Sequence, residues 1–275
     1  MNDQPTFALH GTIPMPRLGL GTYKSKDGPE VTDAVRVALQ TGYRLVDTAA
    51  VYRNEEGVGE GIRQSGLERH EVFVTTKVWN DQQGYDETLR AAEDSLRRLG
   101  LAHLDLYLIH WPRRSRMADT WRALERLREE GLTRAIGVSN FLPHHLDELM
   151  QTAEVAPSLN QIELHPRLQQ RDAWTATEAL GAVVQAWSPI QTGLVLDDPT
   201  IAGIADRHGA GPAQVVLRWG LQSGLSVIPK SVHADRIQSN FDVFGFDLTE
   251  EEIAAIDGLE AGERTGPHPD QFPGD

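Results

Sequence analysis

The stretch Gly42-Tyr43-Arg44-Leu45-Val46-Asp47-Thr48-Ala49-Ala50-Val51-Tyr52-Arg53-Asn54-Glu55 reads as a strand tip running into a loop. It begins as a short apolar run, Tyr43 to Val46, and ends in a carboxylate, Asp47. Small residues follow, then a phenol, Tyr52. Asn54 is of the type that caps a helix, and Glu55 and Glu56 suit a first helical turn. Aspartate is rarely buried unless paired. Asp47 on a buried strand tip therefore calls for a cation from elsewhere in the chain. A purely structural ion pair is the simpler alternative on this segment alone.

Working outward, strands and helices alternate. Thr6–Leu9 and Thr12–Met15 read as a hairpin turning at His10-Gly11. Arg17–Gly21 reads as the first of eight further strands. The others are the quoted stretch, Val72–Lys77, Leu104–His110, Arg134–Val138, Ser158–Ile162, Ala182–Ala186 and Leu225–Ile228. Helical spacing predicts a helix opening at Pro29 and others over 54–65, 86–99, 117–130, 143–151, 171–180, 199–208 and 212–222. Most strand-to-strand steps are roughly 25–35 residues, the size of a βαβ unit. The strands are apolar on both faces, as parallel strands covered by helices should be. This pattern predicts an α/β fold of the (β/α)8 TIM-barrel type, with an N-terminal hairpin and a short C-terminal tail, as a single domain over 1–275. Another helix is expected from about Asp235. Thr249-x-x-Glu252 reads as a capping box opening Ile253–Leu259, and the chain from Ala261 onward as a loosely held, Gly/Pro-rich loop.

Composition narrows the function. The apolar fraction is 40% of 275 residues, enough for a large core. The net charge of −14 argues against nucleic-acid or anionic-membrane partners. The absence of cysteine removes thiolate catalysis and cysteine metal sites. Met1 to Pro5 lacks the features of a signal peptide, and no apolar run reaches the ~18 residues of a membrane span. A cytoplasmic location is expected.

In such a barrel the chemistry gathers where strands end at the C-terminal face. Here the strand ends carry Asp47, Lys77, His110, Ser139-Asn140, Gln161, Trp187-Ser188 and Lys230-Ser231. An acid, a lysine and an imidazole on three successive strands, beside Tyr52, point to a catalytic site rather than a structural ion pair.

These residues resemble the aldo-keto reductase family. The motifs are Gly42 to Ala49; Leu104-Asp105-Leu106-Tyr107-Leu108-Ile109-His110-Trp111-Pro112; Gly137-Val138-Ser139-Asn140-Phe141; and Ile228-Pro229-Lys230-Ser231. The run Asn54-Glu55-Glu56-Gly57-Val58-Gly59 and the short tail are most similar to bacterial members of the 2,5-diketo-D-gluconic acid reductase type. The resemblance implies reduction of an aldehyde or ketone by hydride from NADPH, with Tyr52 as proton donor. A free phenol has a pKa of ~10, and the implied role of Lys77 is to lower it, with Asp47 holding Lys77 and His110 binding the carbonyl oxygen. The implied NADPH contacts are Gly21, Thr22, Ser139, Asn140, Gln161, Trp187, Ser188, Ile190, Thr192, Lys230, Ser231, Val232, Arg236 and Asn240. Lys230, Ser231 and Arg236 would take the 2′-phosphate. Tyr23, Trp79 and Trp111 would form an apolar substrate wall, whereas Trp121, Trp174 and Trp219 fall in helices and read as core. Two departures bear on cofactor grip: Ser239 where the family has Glu, and Gln191 where many members have Gly.

Other readings compete. Gly57-Val58-Gly59-Glu60-Gly61 lacks the spacing of a dinucleotide loop and suits close helix packing. His144, His145 and His103 read as surface residues, because adjacent histidines on a helix point apart and no carboxylate completes a metal site. Glu163 and His165 have no evident partner. A Schiff-base aldolase using Lys77 or Lys230, and a non-catalytic NADPH-binding module, are the rival functions. Keto-sugar acids, methylglyoxal and small aldehydes are the substrate classes implied, and a monomer is expected.

Overall fold

The chain opens with an antiparallel hairpin, β1 (Thr6–Leu9) and β2 (Ile13–Pro16). Eight parallel strands follow in the computed structural model, which describes residues 4–272. The expectation about Met1 to Pro5 falls partly outside these residues. The strands are β3 (Leu20–Gly21), β4 (Leu45–Asp47), β5 (Phe73–Val78), β6 (Leu104–Ile109), β7 (Thr133–Ser139), β8 (Leu159–Glu163), β9 (Val183–Trp187) and β10 (Ser226–Val227). They pair in sequence order, and β3 meets β10 through bridges Leu18↔Val227 and Gly21↔Lys230, closing the barrel. The two closing strands are shorter than the predicted Arg17–Gly21 and Leu225–Ile228 because they meet only at these bridges.

Ten α-helices lie among the described residues: α1 (Pro29–Thr41), α2 (Glu55–Ser65), α3 (Tyr85–Leu99), α4 (Met117–Glu129), α5 (Pro143–Met150), α6 (Arg171–Ala179), α7 (Pro199–His208), α8 (Pro212–Gln222), α9 (Ala234–Phe241) and α10 (Glu250–Asp257). The predicted capping box is present, with Thr249 Oγ1 accepting from the Glu252 amide at 3.2 Å. Trp121, Trp174 and Trp219 are buried on helices, as expected. Gly59 is needed for packing: a Cβ there would collide with the Leu99 carbonyl of α3, and one on Gly61 would lie 2.7 Å from the Thr32 carbonyl of α1.

Strand alternation divides the core in two. Leu45, Phe73, Leu106, Leu108, Ala135, Leu159 and Ile228 point into the barrel, where Leu9 and Met15 of the hairpin plug its base. Val46, Val74, Tyr107, Ile109, Ile136 and Val227 point out, against the helices. Side chains two apart on a strand share a face. Counting in twos from these apolar anchors puts Asp47, Lys77, His110, Ser139, Gln161, Trp187 and Lys230 on the inward side, at the C-terminal rim. The same hydrophobic parity that builds the barrel thus aims the polar groups at one another.

The tail is anchored rather than loosely held. Ala261 and Glu263 amides donate to the Arg167 carbonyl at 3.2 and 3.0 Å. Glu163, apparently unpartnered in the sequence, accepts from the Thr265 and Gly266 amides at 2.7 and 3.1 Å, and His165 lies 3.4 Å from it. The buried carboxylate is thereby satisfied.

Candidate active site

The strand β4 delivers Asp47 to the rim, and a single 3-10 turn, Ala50–Tyr52, swings Tyr52 back over it. Asn54 sits at the helix start but does not cap it. Its Nδ2 donates to the Thr22 and Ser25 carbonyls at 2.9 and 3.1 Å, and its Oδ1 accepts from Thr48 Oγ1 at 2.8 Å. Asn54 therefore holds the Tyr52 loop against the end of β3, a long-range role that a capping rule does not describe.

Lys77 is the cation that Asp47 required. Its ammonium lies 2.6 Å from Asp47 Oδ1, 2.9 Å from the Thr48 carbonyl and 3.5 Å from the Tyr52 hydroxyl. Gln161 Nε2 donates to the other Asp47 oxygen at 2.7 Å. Both ions are out of water, with Lys77 side-chain exposure 0% and Asp47 3%. Burial pushes the Asp47 carboxyl up and the Lys77 ammonium down, each against the attraction of the other.

The Lys77 ammonium faces the Tyr52 phenol at 3.5 Å. The phenol lies well above its ordinary value, first because it is buried and second because Asp47 is near. Tyr52 is therefore held as the protonated acid. His110, whose ring lies 5.6 Å from that of Tyr52, is held neutral by burial and by the Lys77 charge.

The residues expected to meet the cofactor line the same rim. Gly21 ends β3 and Thr22 follows it, donating twice to the Asp47 carbonyl, from its amide at 3.0 Å and its hydroxyl at 2.9 Å. Asn140, in the left-handed region at φ 65°, donates to the His110 carbonyl and to Ser139 Oγ at 2.9 and 3.1 Å. Trp187 Nε1 donates to Asn140 Oδ1 at 2.9 Å. Ser188, Gln191 and Thr192 all have positive φ, so the loop carrying Ile190 turns sharply inward after β9. Lys230 and Arg236 are exposed, Val232 is half-buried, and Ser231 and Asn240 are buried.

A nicotinamide dinucleotide fits this rim on one internal observation. Ser188 Oγ and Gln191 Oε1 are buried without a hydrogen-bond partner among the described residues. Buried polar atoms are normally satisfied, so two orphans on one strained loop mark a place for a polar ligand.

The side expected to face the substrate is aromatic. Tyr23 packs on Tyr52 with centroids 5.0 Å apart, and Trp79 meets His110 edge-on at 5.0 Å. Phe272 of the tail stacks on Trp111 at 4.3 Å and reaches Trp79 at 5.9 Å. The sequence reading missed Phe272 because nothing in a Gly/Pro-rich tail indicates where it docks. Asp270, two residues earlier, lies 2.9 Å from His144 Nε2 and 3.1 Å from His145 Nε2. The two histidine rings therefore converge, 4.0 Å apart, and a carboxylate does join them, contrary to expectation. His145 Nδ1 accepts from the Leu142 amide at 3.2 Å, and the hydrogen bond to Asp270 comes from His144 Nε2 at 2.9 Å. The cluster is a hydrogen-bonded clasp on the tail.

Comparison with known proteins agrees with this geometry. The model of the aldo/keto reductase family matches residues 17–261. A glyoxal reductase of Bacillus subtilis is 51% identical over 97% of each chain. The methylglyoxal reductase DkgA of Yersinia pestis is 46% identical over 100% of both. A crystal structure of a Gox0644 point mutant in complex with NADPH superposes with a TM-score of 0.92 at 45% identity, covering 98% of each chain. An eight-stranded parallel barrel with an acid, a lysine, a tyrosine and a histidine at one rim, matched by that family over most of its length, has one reading: the chain belongs to the aldo/keto reductase family.

Proposed function

We propose that this chain, as a single barrel domain, reduces aldehydes and ketones to alcohols with NADPH, and that Tyr52 is the proton donor. The observation that carries the reading is the Lys77 ammonium, set 2.6 Å from Asp47 and 3.5 Å from the Tyr52 hydroxyl. When bound, NADPH supplies the hydride. Tyr52, protonated throughout the neutral range, gives its proton to the carbonyl oxygen as negative charge develops there. The phenolate left behind is stabilised by Lys77, whose charge matters in the transition state more than in the ground state. Neutral His110 donates a hydrogen bond to the same oxygen. Gln161, Asn140 and Ser139 would hold the carboxamide, Trp187 would lie against the ring, Ser188, Ile190 and Thr192 would follow the pyrophosphate, and Lys230, Ser231 and Arg236 would take the 2′-phosphate.

Small α-oxoaldehydes are the substrate class we assign. Two relatives are named for glyoxal and methylglyoxal. The aromatic wall of Tyr23, Trp79, Trp111 and Phe272 suits a small carbonyl compound pressed against Tyr52 and His110. The reading includes a monomer in the cytoplasm; among the described residues no helix is long and apolar enough to cross a membrane. A Schiff-base aldolase is disfavoured because its nucleophile must be a neutral amine, and Lys77 donates to a carboxylate and a carbonyl.

The test is NADPH oxidation against glyoxal, methylglyoxal, keto-sugars and aromatic aldehydes, with NADH in parallel. Turnover with α-oxoaldehydes at the highest kcat/KM supports the assignment. Turnover only with keto-sugars would replace the substrate class, and near-normal turnover by Tyr52→Phe would remove the proton-donor role.

A further inference from the structure

Two polar residues lie beside Gln161 inside the barrel, where apolar side chains would pack at lower cost. Gln185 on β9 and Ser226 on β10 are both fully buried. They stand level with Gln161, since Gln161 pairs in register with Gln185 and Gln185 with Ser226. Buried amides carry a desolvation cost that only a complete set of hydrogen bonds offsets. Here the hydrogen bonds run along one line. Gln185 Nε2 donates to Ser226 Oγ at 2.9 Å. Gln161 Nε2 donates to Gln185 Oε1 at 2.7 Å and to Asp47 Oδ2 at 2.7 Å.

This line determines which end of Gln161 a ligand meets. An ionised carboxylate only accepts, so the amide nitrogen must face Asp47. An amide nitrogen has two hydrogens, and Asp47 and Gln185 take both. The oxygen is what remains. We infer that Gln185 is a positioning residue: it fixes the Gln161 amide so that its nitrogen holds Asp47 while its oxygen is presented to the N–H2 of the nicotinamide carboxamide. The inference rests on the proposed contact between Gln161 and the carboxamide. It joins cofactor binding to the proton donor through one side chain, because the same amide that reads the cofactor steadies the Asp47–Lys77 pair. Consistently, the Gln161 bond favours the ionised form of Asp47.

Gln185→Met tests this at nearly constant length. The expected NADPH Kd, read by tryptophan-fluorescence titration, rises about tenfold, the value of roughly one hydrogen bond. The acid limb of the kcat profile moves to higher pH, because Asp47 loses part of its hold. Gln185→Glu keeps an acceptor facing Gln161, with the Ser226 hydroxyl turning to donate, and is expected to restore NADPH affinity. Ser226→Ala removes only the far anchor; it should change both readouts in the same direction by a smaller factor, and it serves if Gln185→Met does not fold. Wild-type Kd and acid limb in folded Gln185→Met, or equal losses in the Met and Glu variants, overturn the role of Gln185. Gln161→Met separates the two roles. Unchanged NADPH affinity in that variant overturns the carboxamide contact itself. Weakened affinity there, with Gln185→Met unchanged, overturns only the positioning.

Discussion

Removing either partner of the Lys77–Asp47 pair should destabilise the barrel, and the two single variants should respond to pH with opposite signs. Both side chains are almost wholly excluded from water, 2.6 Å apart. Breaking a buried pair by deleting one partner leaves an uncompensated charge and costs ~3–5 kcal/mol. For a chain of this size that corresponds to a fall in Tm of roughly 6–20 °C. In Lys77→Met the stranded group is Asp47. Its folded pKa rises further above the unfolded one, so protonation relieves it, and the deficit shrinks as pH falls. In Asp47→Asn the stranded group is Lys77. Its folded pKa drops further below the unfolded one, so deprotonation relieves it, and the deficit shrinks as pH rises. Each slope approaches 1.4 kcal/mol per pH unit where the group titrates only on folding. The double variant should lose less than the sum of the singles, with a coupling of ~2 kcal/mol or more. Urea denaturation followed by tryptophan fluorescence, at about pH 6 and about pH 9, reads all of these. Additive losses and parallel pH slopes would refute the claim that the two groups form one buried ion pair.

Tyr52→Phe should lower kcat by about 10²–10⁴-fold while leaving the NADPH Kd near wild type, since the hydroxyl touches the carbonyl and not the dinucleotide; pre-steady-state reduction and fluorescence titration separate the two. Aldehyde reduction should show no ionisation step near pH ~6.5, because His110 is neutral well below its ordinary range, while alcohol oxidation should rise steadily into alkaline pH, because it needs the Tyr52 phenolate; a full pH profile in both directions decides. Asp270→Ala should raise KM for aromatic aldehydes more than it changes kcat, because freeing the tail from His144 and His145 withdraws Phe272 from Trp111. Gly59→Val should cost ~1–3 kcal/mol or more in urea denaturation, because its side chain meets the α3 backbone, which cannot give way as a side chain can.

Much of the barrel was legible in the chain. Strands buried on both faces write continuous apolar runs, and the period of two carries through them to the polar residue at each end. That is why Asp47, Lys77 and His110 could be read as neighbours before any coordinates: adjacent parallel strands, equal parity, one rim. Helix starts at Pro29, Pro143, Pro199 and Pro212 were similarly visible, because proline acts locally on its own turn.

What the sequence could not state was which polar groups satisfy one another across long separations. Gln185 and Ser226 look like incidental strand residues until the closed barrel sets them beside Gln161. Glu163 looked partnerless in the sequence because its donors lie on a tail about a hundred residues away, and Phe272 and Asp270 lie on that same tail. Spacing places Lys77 near the phenol, but only the structure shows that its ammonium is shared among Asp47, the Thr48 carbonyl and the Tyr52 hydroxyl. Hydrophobic period and local turn chemistry act within a few residues, so the sequence alone determined the elements, their order and the rim. Hydrogen bonding and electrostatics act through space, so the tertiary structure alone decided how the tail closes on the site and which groups share the Lys77 ammonium.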